Sequence, residues 1–145
     1  MDGRPDGDAR RMWSRHVGSM VRDPQLISHR QLKWKALSTD QLDSLWHAMM
    51  DPFENTDMSI DTFRETRMAH AKQIWDRWRS DLSREYVKIH HGDEAVVLAN
   101  PPPCYDPSDW EFVCRHHFFT ESFKVRIISE LKYVLTTLVL TSFLF

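Results

Sequence analysis

Three side chains, His70, Arg77 and Arg84, recur at heptad spacing, and Lys88 follows four residues later, in a stretch without glycine or proline. On a helix turning 100° per residue they cluster on one face together with Gln73. Cations presented at regular intervals on a rigid surface are what the phosphates of a nucleic acid require. A charged back face is also what any surface helix carries, so the spacing leaves polyanion binding and plain solvation both open.

Other chemistry has less to build on. His90, His91, Cys104, Cys114, His116 and His117 fall within one short region. Structural zinc, however, takes four N or S ligands in paired short spacings, whereas nine residues separate these two cysteines. No metal or other cofactor is expected. The chain contains no G-x-S-x-G, H-E-x-x-H or phosphate-loop motif, and no pair of carboxylates in a setting that suggests an acid and a base. Its four glycines offer few of the tight turns that active-site loops use. The expectation is a protein that is not an enzyme.

The elements that must hold the basic stripe can be read from caps and periods. Ser38 with Gln41 three residues later forms a capping-box pattern, and Leu37 and Leu42 are placed as a hydrophobic staple. Leu42, Leu45, Trp46 and Met49 follow one helical face, which predicts a helix over 39–50 stopped by Pro52. A long helix of about residues 60–90 follows, with Asp57 or Ser59 as its cap. Its apolar stripe is Met68, Ala71, Trp75, Trp78, Leu82, Tyr86 and Ile89. Arg79 falls at the acidic edge and is set aside as a contact. "GDEAVVLANPPPCYDPSDW" reads as a connector with an extended triple-proline strut. Asp106 with Pro107 at the first helical position opens a third helix, with Trp110, Val113 and His117 on one side.

The 145 residues suffice for one domain with a real core, and six tryptophans supply a large apolar payload. The net charge of −2 hides an uneven distribution. Residues 59–90 hold seven Lys/Arg against five Asp/Glu, and residues 91–123 hold one against six. Two cysteines make no disulfide framework, and the polar opening "MDGRPDGDARRMW" is no secretory leader, so a reducing compartment is expected. The first 24 residues read as a mobile, disordered lead-in in which a short helix around Arg10–Val21 is admissible. The end, "YVLTTLVLTSFLF", is an apolar tail. Its thirteen residues fall short of the roughly 20 that span a bilayer, and no membrane partner is expected.

Three blocks carry a resemblance: "WKALSTDQLDSLWHAM", "IWDRWRSDLSREYVK" and "NPPPCYDPSDWEFVCRHHFFTESFK". Together, over about residues 34–124, they resemble plant transposon proteins of the Ptta/En/Spm (CACTA) class. The third block is the most specific, with Asn100, Pro101, Pro102, Pro103, Asp109, Trp110, Glu111 and Phe123 in the family's order. The resemblance implies an accessory, non-catalytic nuclear protein that associates with double-stranded DNA or with the element's transposase. It brings no binding residues to carry over, and the chain departs from it at Val125. "WRSDLSREY" also resembles, more loosely, the last helix of plant trihelix (Myb/SANT-like) DNA-binding domains, whose aromatic face is core and whose opposite face meets the groove.

The expectations are therefore a mostly α-helical domain over 25–124, a lead-in over 1–24 and an apolar tail over 125–145. Trp34, Trp46, Trp75, Trp78 and Trp110 are to converge in the core. His70, Arg77, Arg84 and Lys88 are to face DNA. The alternatives are a protein–protein module that uses the proline strut and the acids Asp106, Asp109 and Glu111, or a degenerate relic without activity.

Overall fold

The computed structural model describes residues 7–53 and 60–143. Among these the chain is mostly helical, with no strand: six α-helices joined by 3₁₀ and π-helical turns and by irregular segments. The expected caps Asp57 and Ser59 lie outside the described residues.

The local signals at the second helix are realised as read. In α2 (Thr39–Met50) the Ser38 hydroxyl accepts from the Gln41 amide, and the Gln41 side chain accepts from the Ser38 amide at 2.8 Å. A cap of this kind is worth about 1 kcal/mol. It starts the helix so that Leu45, Trp46, Met49 and Met50 enter the core.

The helix α3 (Ile60–Leu82) buries Ala71, Trp75, Trp78 and Leu82 along the expected stripe. Beyond Leu82 the register changes. Residues Ser83–Val87 form a π-helical turn, closed by the Lys88 amide donating to the Ser83 carbonyl, and a 3₁₀ turn over Lys88–His90 follows. A turn closed over five residues takes up more chain than an α-turn, so the stripe slips. Val87 is buried, whereas Ile89, assigned to the stripe on a uniform helix, is 60% exposed. His91, at φ 52°, and Gly92, at φ 82°, then end the helical run in left-handed backbone, which glycine adopts without strain.

Two further expectations are corrected. The helix admissible around Arg10–Val21 is α1 (Gly7–Arg22). It packs on α2 and α3 and buries Trp13, Val17 and Val21. The folded body therefore starts before residue 25, and the lead-in is part of it from Gly7 onward. The connector also holds a short helix, α4 (Glu94–Ala99), capped by the Asp93 side chain. The triple proline is no exposed strut: Pro102 is fully buried and its carbonyl accepts from the Tyr105 amide.

Four of the five expected tryptophans, Trp46, Trp75, Trp78 and Trp110, are buried, and Trp34 is half-buried against Trp75 at 5.9 Å between ring centres. The Trp110 indole donates to the Val97 carbonyl at 3.0 Å, which ties α4 to α5 (Pro107–Val113). Asp106 and Pro107 open α5 as expected. Residues Cys114–Phe118 form a second π-helical turn, and α6 (Glu121–Phe143) follows. Phe123 anchors its start, whereas every residue from Lys132 to Ser142 is exposed. Among the described residues no helix is long and apolar enough to cross a membrane.

Candidate anion-binding recess

The four expected contact residues do not act as one set. Arg77 is exposed, and no ion pair engages it among the described residues. Arg84 is exposed but already neutralised, at 2.9 Å from Asp81 and 3.5 Å from Glu85. His70 is half-buried. Lys88 belongs to a different surface altogether, because the π-helical turn and the 3₁₀ turn intervene.

That surface is a recess of about 520 Å³. One side is Leu32–Lys35, which leads into the 3₁₀ turn Trp34–Ala36. The floor is the face of α3 that carries Lys72, Trp75, Asp76, Arg79 and Ser80, continued by Ser83. Lys88, His117, Phe118 and Phe123 complete the lining. Both π-helical turns thus supply wall residues, Ser83 from one and His117 and Phe118 from the other. Wide turns of this kind re-aim side chains and recur at functional sites.

The electrostatics are one-sided. Lys33, Lys35, Lys72, Arg79 and Lys88 face a single acid, Asp76, which Lys72 already holds at 2.7 Å. Lys33, Lys35 and Lys88 have no ion pair among the described residues. Arg79 is only 6% exposed. Its guanidinium lies 4.7 Å over the Trp75 ring and donates to the Gln31 carbonyl, while Nε and Nη1 have no hydrogen-bond partner. Burial lowers the pKa of this guanidinium, and the same burial pushes the nearby Tyr105 phenol up to about 12. An arginine stays charged under all ordinary conditions, so the recess holds a buried cation that no carboxylate pairs with among the described residues. A buried charge without a counterion is costly, and such residues cluster where a ligand supplies the missing charge.

Magnitudes favour the recess over the outer face of α3. A cation and a phosphate 4 Å apart attract by about 4 kcal/mol at the effective dielectric of a protein surface, but by about 1 kcal/mol in bulk water. Arg77, like the exposed Lys33, Lys35 and Lys88, operates near the second limit, and the buried Arg79 near the first.

Sequence reasoning passed over Lys33, Lys35 and Arg79. A signal for the first two stands in "QLKWKAL", where two lysines flank a tryptophan, the basic-aromatic interleaving of nucleic-acid surfaces. For Arg79 no local signal exists, because its burial depends on residues 31–36 crossing over α3.

The His/Cys region gathers no ligand set. Cys114 is fully buried, and burial pushes its thiol up to about 12, while Cys104 is exposed. His116 packs on Phe112 at 4.3 Å between ring centres, tilted by 39°. Among the described residues no group of three or more His, Cys, Asp or Glu side chains is placed to hold a metal ion.

Comparison of the chain with family models, with curated proteins and with solved structures finds no match.

Proposed function

We propose that this chain is a non-catalytic DNA-binding module, of the transposon-derived nuclear class that its three sequence blocks resemble. It holds the duplex backbone through the recess rather than through the outer face of α3. One observation carries the reading: Lys33, Lys35 and Lys88 line one recess with a buried guanidinium, and among the described residues none of the four has an acidic partner. The alternative, a protein–protein module built on the acidic segment, has less free charge to offer. Asp106 caps α5, Asp109 pairs with Arg30 at 2.6 Å, and Glu111 pairs with Arg115 at 2.8 Å.

Duplex binding of the full chain as a function of salt tests this. Affinity should fall steeply with salt, because phosphate contacts release counterions. The Lys33→Glu/Lys35→Glu/Lys88→Glu variant should lose roughly 100-fold at low salt and flatten the log–log slope by about 3. An unchanged affinity in that variant removes the proposal.

A further inference from the structure

The recess is not shaped only for a bare phosphate. Trp34 and Trp75 line it at a tilt of 56°, and Trp34 is half-buried at its edge. Its volume of about 520 Å³ lies inside the roughly 300–1,000 Å³ range of small-molecule sites, far more than one phosphate fills. Three wall residues, Trp75, Arg79 and Ser83, are each more than nine-tenths buried. Each also carries nitrogen or oxygen without a hydrogen-bond partner: Trp75 Nε1, Arg79 Nε and Nη1, and Ser83 Oγ. These atoms are enclosed behind the recess surface, so the groups it presents to a ligand are the exposed lysines and the half-buried Trp34 ring.

From this we propose that the recess seats one unstacked nucleotide, with its ring against Trp34 and its phosphate among Lys33, Lys35 and Lys88. The proposal rests on the polyanion reading above for its cations and adds the ring. Flat rings stack on tryptophan irrespective of base identity, and the lysines supply the charge that follows the backbone. A duplex keeps its bases stacked inside, so a site of this kind favours single-stranded DNA, a frayed end or a flipped base over intact duplex.

The test is calorimetric titration of the full chain with adenosine monophosphate, adenosine and inorganic phosphate, alongside single-stranded and duplex oligonucleotides. The monophosphate should bind at least tenfold more tightly than either adenosine or phosphate, and a single-stranded oligonucleotide should displace it. Trp34→Leu, at a half-buried position, should lose at least tenfold in monophosphate and single-strand affinity while keeping the salt slope for duplex. Lys88→Gln, at an exposed position, should weaken both ligands with the fold intact by circular dichroism. Monophosphate binding no tighter than inorganic phosphate overturns the nucleotide seat, and so does a Trp34→Leu variant with unchanged affinities. In either case persisting duplex binding leaves the broader function standing. Loss of every phosphate-bearing ligand brings both down together.

Discussion

Arg77 and Arg79 lie two residues apart on the same helix, pointing roughly 160° away from each other. Arg77 stands in water on the face that also carries Arg84. Arg79 is buried over Trp75 and bonded to a backbone carbonyl, with two nitrogens left over. Charge counting ranks the two equally, and the helical wheel ranks Arg77 higher because Arg79 falls at the acidic edge. Burial reverses that order. A cation in bulk water is screened and costs nothing to keep, whereas a desolvated cation is held at a cost and interacts several times more strongly with an incoming anion. On this helix the stronger anion site is therefore the face that looks less basic.

The largest expected effect separates the two faces by pH. Burial raises Tyr105 and Cys114 each to about 12, against ordinary values of 10 and 9. Both groups thus hold their proton longer in the folded chain than in the unfolded one. Between about pH 9 and 12 the folded state binds more protons, so stability is fully present below that window and is lost as pH rises through it. The loss should amount to a few kcal/mol, seen as a fall in Tm across that range. Tyrosinate absorbance should show one late-titrating phenol, since the Arg79 guanidinium opposes the rise at Tyr105 only in part. In Arg79→Met that phenol should titrate later still, and in Arg77→Met it should not move. A phenol indifferent to both substitutions would mean that Arg79 does not face it.

Next in size is the exchange of each arginine for methionine. Arg79→Met removes a buried cation without a counterion and replaces it with an apolar chain of similar length, a change often neutral or stabilising. It also gives up the bond to the Gln31 carbonyl, worth about 1 kcal/mol. The Tm should therefore stay within a few degrees of the parent, while duplex affinity falls roughly tenfold or more. Arg77→Met should alter neither by much, with affinity within about threefold. A large drop in Tm for Arg79→Met would make that residue a structural post rather than a ligand group.

What could be read in advance follows the same division. The capping box at Ser38, the stop at Pro52, the stripe through Leu82 and the opening at Asp106 are local and were legible, because each needs only a few neighbouring residues. The two π-helical turns were not, since a change of helical period is imposed by what packs against the helix. The first of them displaces Ile89 from the core and moves Lys88 from the outer stripe to the recess. Helix α4 has six residues, too few to form alone, and is held by the Asp93 cap, by burial of Val97 and by the indole of Trp110. In α1 a short helix around Arg10–Val21 was admissible, but the glycines and charges around Trp13, Val17 and Val21 concealed that Gly7–Arg22 belongs to the core. The recess joins residues more than 80 positions apart, Leu32 to Phe123, and no window on the sequence spans that.

The smallest expected effect bears hardest on the comparison. Arg84 sits at the heptad position that first suggested a polyanion face, yet Asp81 and Glu85 neutralise it at the surface. Exposed pairs of this type contribute about 0.2–0.5 kcal/mol. Arg84→Ala should therefore leave Tm nearly unchanged by thermal melts. It frees two carboxylates, making the outer face more acidic, but these stand on the far side of α3 from the recess. At 0.15 M salt charges more than about 8 Å apart are largely screened from each other. Duplex affinity should then change by less than about twofold. A tenfold loss on this one substitution would place the phosphate contacts on the outer face and reverse the ranking of the two sides of α3.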